Sequence, residues 1–160
     1  MVDLSDGAKQ LIKDARDYAI RAHGNQRYGK HPYIYHLDQV AELAMRIHRR
    51  NEFDISLVEF VQAAYLHDVI EDTKVEIEEV EIEFGPHVRY LVANMTKFQG
   101  EDYFEYIRDL RNREVPRLLK LCDVMCNLQE SLLLPNRPDL VAKYVRALIY
   151  LTHKDYMLEG

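Results

Sequence analysis

Apolar residues recur at three- and four-residue spacing along almost the whole chain, and no stretch alternates convincingly as a half-buried strand would. The spacing predicts a first helix from about Ser5 to His23, with Leu11, Ile12, Ala15, Tyr18 and Ala19 on its inner face. A polar loop from Gly24 to His31 follows, and Pro32 begins the approach to a second helix ending near Arg50. Ser56 and Glu59 fit a capping box that opens a third helix through Val58, Val61, Ala64, Tyr65 and Leu66 to about Ile70. A short acidic helix, Val75 to Phe84, should stop at Gly85, with Pro86 opening the next helix to about Thr96. Beyond Gly100 the expected helices are Tyr103 to Arg111, Pro116 to Leu133, and Pro138 to about Tyr156. The last should turn Leu140, Val141, Tyr144, Ala147, Leu148 and Leu151 inward.

Seven or eight helices without strands make an all-α bundle. The 160 residues carry no repeat, low-complexity stretch or linker, so one domain over residues 1–160 is expected. Composition adds little to this: 48% hydrophobic and 30% charged residues are ordinary for a globular protein. No apolar run approaches the roughly 18 residues of a membrane span, and the N-terminus has no basic flank before an apolar stretch. The expectation is a cytosolic protein with no membrane partner. Cys122 and Cys126 are too few for a disulfide framework and read as core thiols, with a metal-binding pair as the other reading. A net charge of −6 argues against a broad contact with nucleic-acid polymers. It leaves room for a small anionic substrate whose charge a bound metal would balance. Oligomeric state is not legible, and a homo-oligomer is compatible with everything above.

Candidate chemistry is concentrated in three places. In Ala63-Ala64-Tyr65-Leu66-His67-Asp68-Val69-Ile70-Glu71-Asp72-Thr73, ionisable residues crowd the end of an apolar helix. His67 and Glu71 are four apart, as are Asp68 and Asp72, so each pair should share one side of the helix. Carboxylates near a helix C-terminus oppose the macrodipole, and a divalent cation would compensate them. Alone, the segment reads equally as a solvated acidic helix end. Pro32-Tyr33-Ile34-Tyr35-His36 adds a histidine at the entry of the second helix. Lys120-Leu121-Cys122-Asp123-Val124-Met125-Cys126-Asn127-Leu128 buries Asp123 and Asn127 in an apolar helix, which is costly unless each has a partner. Together His36, His67, Asp68 and Asp123 offer two imidazoles and two carboxylates. Such a mixed set suits a six-coordinate ion such as Mn²⁺ or Fe²⁺, with Co²⁺ or another divalent ion also compatible.

At these residues the chain resembles the HD superfamily of metal-dependent phosphohydrolases. It looks like the hydrolase domain of RelA/SpoT proteins and the free-standing small alarmone hydrolases of the Mesh type. The likeness rests on Arg27 five residues before Pro32, the Pro-Tyr-Ile-x-His run ending in His36, and His67-Asp68-x-x-Glu71-Asp72-Thr73. It continues through Phe84-Gly85-x-x-Val88, Thr96-Lys97 and Lys120-Leu121-x-Asp123-x-x-x-Asn127-Leu128, from about Tyr18 to Leu128. It implies an HD-type helical bundle whose metal is held by His36, His67, Asp68 and Asp123. It also implies that Glu71 and Asp72 orient and activate the attacking water, Asn127 lies near the substrate phosphate or sugar, and Arg27 packs on the base. The chain departs from the family's usual basic residues with Val124 after the metal-binding Asp and Gln129 after Asn-Leu. It departs again in Tyr28-Gly29-Lys30-His31, where the family pattern is basic and hydroxylic.

The function so implied is removal of the 3′-pyrophosphate from ppGpp, without the synthetase activity of the long RelA/SpoT proteins. A (deoxy)nucleotide or NADPH phosphohydrolase on the same scaffold is the first alternative. A catalytically silent nucleotide-binding module is the second. The acidic helix Val75 to Phe84, with Glu76, Glu78, Glu79, Glu81 and Glu83, could serve a partner but reads more simply as a solvated face.

Overall fold

Helix α3 (Leu57–Leu66) is mostly apolar, with only Glu59 and Gln62 strongly polar, and its residues from Phe60 to Leu66 are all buried. A helix apolar on every side must sit among neighbours. Around α3 pack α1 (Asp6–His23), α2 (Ile34–His48) and α5 (Ile77–Met95), while α1 also meets the four-residue α4 (Val69–Asp72). Ala15, Ala19, Ala41, Ala44, Ala63 and Ala64 line these contacts, and their small side chains let the helices approach closely. The computed structural model describes residues 4–153 and divides the chain into two compact units, Met1–Thr96 and Lys97–Gly160. In the second unit α6 (Tyr103–Leu110) and α7 (Glu114–Leu133) pack on α8 (Pro138–Thr152). Tyr106, Ile107, Leu110, Val124, Ala147 and Leu151 form its core, and Arg117 Nη1 donates to the Leu151 carbonyl at the end of α8 (2.8 Å). Residues 154–156, where the sequence pattern ends the last helix, lie outside the described residues.

The all-α expectation holds, with eight helical segments among the described residues. No helix among these residues is long and apolar enough to cross a membrane. The capping box is formed, with Ser56 Oγ accepting from Glu59 N–H and the Glu59 carboxylate accepting from Ser56 N–H. The break at Gly85 is also as expected: Gly85 adopts φ 85°, ψ 175° immediately before Pro86. Just before it Phe84 meets Tyr18 of α1 edge to face, their ring centroids 5.3 Å apart.

Three features differ from the sequence pattern. Arg27–Tyr28 (β1) and His31–Pro32 (β2) pair as a minimal antiparallel hairpin, Arg27 opposite Pro32 and Tyr28 opposite His31. Two-residue strands are too short to show alternation. The turn is favoured by Gly29, whose φ of 58° at the first central position is one that glycine adopts readily. Leu11, expected inward, is exposed, and the buried row on α1 is Ala15, Ala19 and His23. A four-residue row precesses by about 40° per step around a helix of 3.6 residues per turn, so its start and end face different ways.

The third difference bears on the site. The helix expected to reach Ile70 ends at Leu66, and Asp68 takes φ −104°, ψ −1° before α4 begins at Val69. The four-residue spacings through His67, Asp68, Glu71 and Asp72 therefore do not measure one continuous helix face. Glu71 and Asp72 lie in the first turn of α4, so the carboxylates do not all oppose the dipole of α3. The need for a cation has to be argued from contacts instead.

Candidate metal and hydrolase centre

In the first unit three of the sequence-selected residues come together. His36, in the first turn of α2, is buried, with its ring stacked on Tyr28 (centroids 4.6 Å, 18°). His67 caps the C-terminus of α3 with a fully buried side chain. The two imidazole centroids are 5.5 Å apart. Asp68 follows directly, and its Oδ2 lies 3.0 Å from His67 Nε2 and 4.0 Å from His36 Nε2. Tyr33 OH donates to that same oxygen.

Hydrogen-bond chemistry shows what this arrangement requires. His67 Nδ1 is 2.7 Å from the Ala64 carbonyl oxygen, which can only accept, so Nδ1 carries the proton. In a neutral ring Nε2 then presents a lone pair, and it faces a carboxylate oxygen. Two acceptors at that distance need a positive charge between or beside them: a proton on the ring, or a metal ion held by both. The carbonyl bond to Nδ1 is also what orients a metal-binding imidazole. His36, His67 and Asp68 therefore fit a divalent cation by donor type and orientation, with both imidazoles buried and Asp68 half-buried beside them.

The remaining residues divide between the two units. Glu71 and Asp72 are exposed on α4, and Asp72 Oδ2 accepts from Gln26 Nε2 at 2.8 Å. Arg27 is exposed on the hairpin, where its guanidinium donates to the Lys30 carbonyl. In the second unit α7 buries Asp123, whose Oδ1 accepts from Asn127 Nδ2 (2.7 Å) and whose Oδ2 accepts from Lys120 Nζ (2.8 Å). The cost that the sequence assigns to a polar pair in an apolar helix is thus met within α7. The Lys120 ammonium also lies 5.4 Å from the Tyr106 ring centroid. Nearby Cys122 is a poor candidate for metal binding. Burial first, then neighbouring Cys126, pushes its thiol well above the ordinary range and disfavours the thiolate that would ligate.

Sequence reasoning missed Gln26 and Tyr33 as partners of Asp72 and Asp68, and Lys120 as the partner of Asp123. Lys120 was open to discovery, because it stands three residues before a buried Asp on the same helix. Tyr33 and Gln26 reach carboxylates 35 and 46 residues away, and no local pattern announces such a contact.

The HD domain family matches residues 15–131. Human MESH1, named a guanosine-3′,5′-bis(diphosphate) 3′-pyrophosphohydrolase, is 36% identical over 132 residues, spanning 77% of this chain and 70% of the human protein. A protein of Aquifex aeolicus with the same activity name is 36% identical over 129 residues, which are 74% of this chain but 17% of that longer protein. A solved structure described as a metazoan ortholog of SpoT that hydrolyzes ppGpp superposes with a TM-score of 0.71. It covers 95% of this chain and 89% of its own at 24% identity, which speaks for a shared fold. With a matched domain reaching across most of its length and so much sequence in common with human MESH1, this chain belongs to the HD-domain family, in the group of MESH1 and its SpoT-like relatives.

Proposed function

We propose that this chain is a divalent-metal-dependent nucleotide phosphohydrolase that removes the 3′-pyrophosphate of guanosine-3′,5′-bis(diphosphate). The observation that carries the chemistry is the contact of the buried His67 with Asp68, whose oriented Nε2 and carboxylate oxygen call for a cation. Likeness to the MESH1 proteins supports the substrate. The metal ligands in this reading are His36, His67 and Asp68, with Asp123 as the carboxylate contributed by α7, and Mn²⁺ is the proposed ion. A bound divalent ion supplies Lewis acidity toward phosphate oxygens and a more acidic water.

The rest falls to the protein. Asp72 and Glu71 orient the attacking water and take its proton as the new oxygen–phosphorus bond forms. The bond from phosphorus to the ribose O3′ breaks, O3′ is protonated, and GDP and pyrophosphate leave. Asn127 contacts the phosphate or sugar, and the planar guanidinium of Arg27 stacks on the base. The proposal includes one functional domain across both units, cytosolic location, and a free nucleotide rather than a polymer as ligand. The span of the HD-domain match supports the first of these, and the acidic net charge supports the last.

The test is a nucleotide panel containing ppGpp, dNTPs and NADPH, incubated with purified protein and Mn²⁺ and resolved by product. GDP and pyrophosphate should appear from ppGpp, and His67→Ala or Asp123→Ala should abolish the release. Turnover of dNTPs or NADPH alone would transfer the mechanism to another substrate. Full metal-dependent turnover in both variants would overturn the ligand assignment.

A further inference from the structure

Asp72 is exposed on a helix of only four residues, a poor platform for a carboxylate that must hold one orientation. The structure supplies a brace from elsewhere. Gln26 Nε2 donates to Asp72 Oδ2 (2.8 Å), and Gln26 Oε1 lies 2.8 Å from His23 Nδ1. An amide that spends its nitrogen on a carboxylate presents its oxygen to the imidazole, so His23 Nδ1 is the donor in that second bond. The amide is thus oriented from both ends. Its backbone is pinned as well, Gln26 N–H donating to the His23 carbonyl (3.0 Å) and the Gln26 carbonyl accepting from Tyr33 N–H (3.1 Å). His23 is buried at the end of α1 and stacks on Tyr33 (4.4 Å between centroids, 27°), whose hydroxyl holds Asp68. One short segment therefore braces the carboxylates at both ends of the His67-to-Asp72 stretch.

We propose that Gln26 is a positioning residue for hydrolysis, with its side-chain amide, anchored by His23, fixing Asp72 in the rotamer that receives the proton of the attacking water. This rests on the reading of Asp72 given above. It assigns Gln26 to the rate of the chemical step and not to metal binding or substrate affinity. A brace on a reacting carboxylate typically contributes one to two orders of magnitude in rate.

Gln26→Met keeps the length of the side chain and every backbone bond while removing both amide functions. Assayed as the full Mn²⁺-loaded chain with ppGpp, it should lose about tenfold or more in kcat, with KM within about twofold. Thermal midpoint and Mn²⁺ affinity by titration calorimetry should stay at the wild-type values. Gln26→Glu, which keeps the acceptor for His23 but sets a negative charge against Asp72, should be at least as slow. Wild-type kcat in Gln26→Met, or a loss that tracks a lower melting temperature or weaker Mn²⁺ binding, overturns the positioning role. Asp72→Asn separates this from the underlying reading: a slow Asp72→Asn beside a normal Gln26→Met defeats only the brace. An Asp72→Asn of wild-type rate, or a wild-type chain that hydrolyses nothing, defeats both.

Discussion

Arg16 reaches from α1 to Asp38 on α2 with a bidentate fork, Nε to Oδ1 at 2.7 Å and Nη2 to Oδ2 at 2.8 Å. Tyr65 OH, from α3, donates to the same carboxylate at 3.1 Å. Asp38 stands two residues after His36 and Tyr65 two residues before His67, so this knot ties together the segments that carry both imidazoles. Burial first, then the Asp38 charge, pushes the Tyr65 phenol up to about 12 from an ordinary value of 10.0. In the unfolded chain the phenol ionises near its ordinary value, so above that pH the unfolded state holds fewer protons and is favoured. The contribution is intact below pH 10 and is lost as pH rises toward 12. Burial raises Tyr103 as well, so absorbance at 295 nm should show more than one late-titrating tyrosinate, of which Tyr65→Phe removes one, and the decline of stability over that window should be shallower in the variant. A Tyr65→Phe titration superimposing on wild type would refute this.

At the scale of elements, the join inside α5 is the most exacting. Gly85 sits at φ 85°, ψ 175°, a region closed to residues with a Cβ, yet nothing lies within 4 Å of where that Cβ would stand. Gly85→Ala should therefore cost about 1–3 kcal/mol through backbone strain alone, measured by urea unfolding. A neutral substitution would refute the strain at Gly85. Glu81 and Arg89 bridge the same break at 3.0 Å, with Glu81 exposed and Arg89 half-buried, and such pairs near the surface contribute little. The Gly85-Pro86 stop was legible because two backbone-restricting residues stand together. The stop at Leu66 was not. Nothing in His67-Asp68-Val69 forbids a helix locally, and the break shows only in the backbone of Asp68 and in the contacts its carboxylate makes.

For the whole molecule, a metal that binds the native chain and not the unfolded one must stabilise it. At a hundredfold excess over Kd the gain is about 2.7 kcal/mol, and for a chain of this size that is a rise of roughly 5–10 °C in Tm. Mn²⁺ should produce such a shift, EDTA should reverse it, and His67→Ala should eliminate it without any assay of turnover. A melting curve indifferent to Mn²⁺ and EDTA would remove the case for a resident ion.

The helical class, most helix spans, the capping box at Ser56, the break at Gly85 and the types of residue able to bind a metal were all decided locally. They depend on spacing, on capping chemistry and on backbone freedom within a few residues of each position. The contacts that give those residues direction were not. Tyr33 on Asp68, Gln26 on Asp72 and the histidine pair itself join positions tens of residues apart. A hydrogen bond between distant residues leaves no periodicity in the chain, because its geometry exists only after the helices have packed.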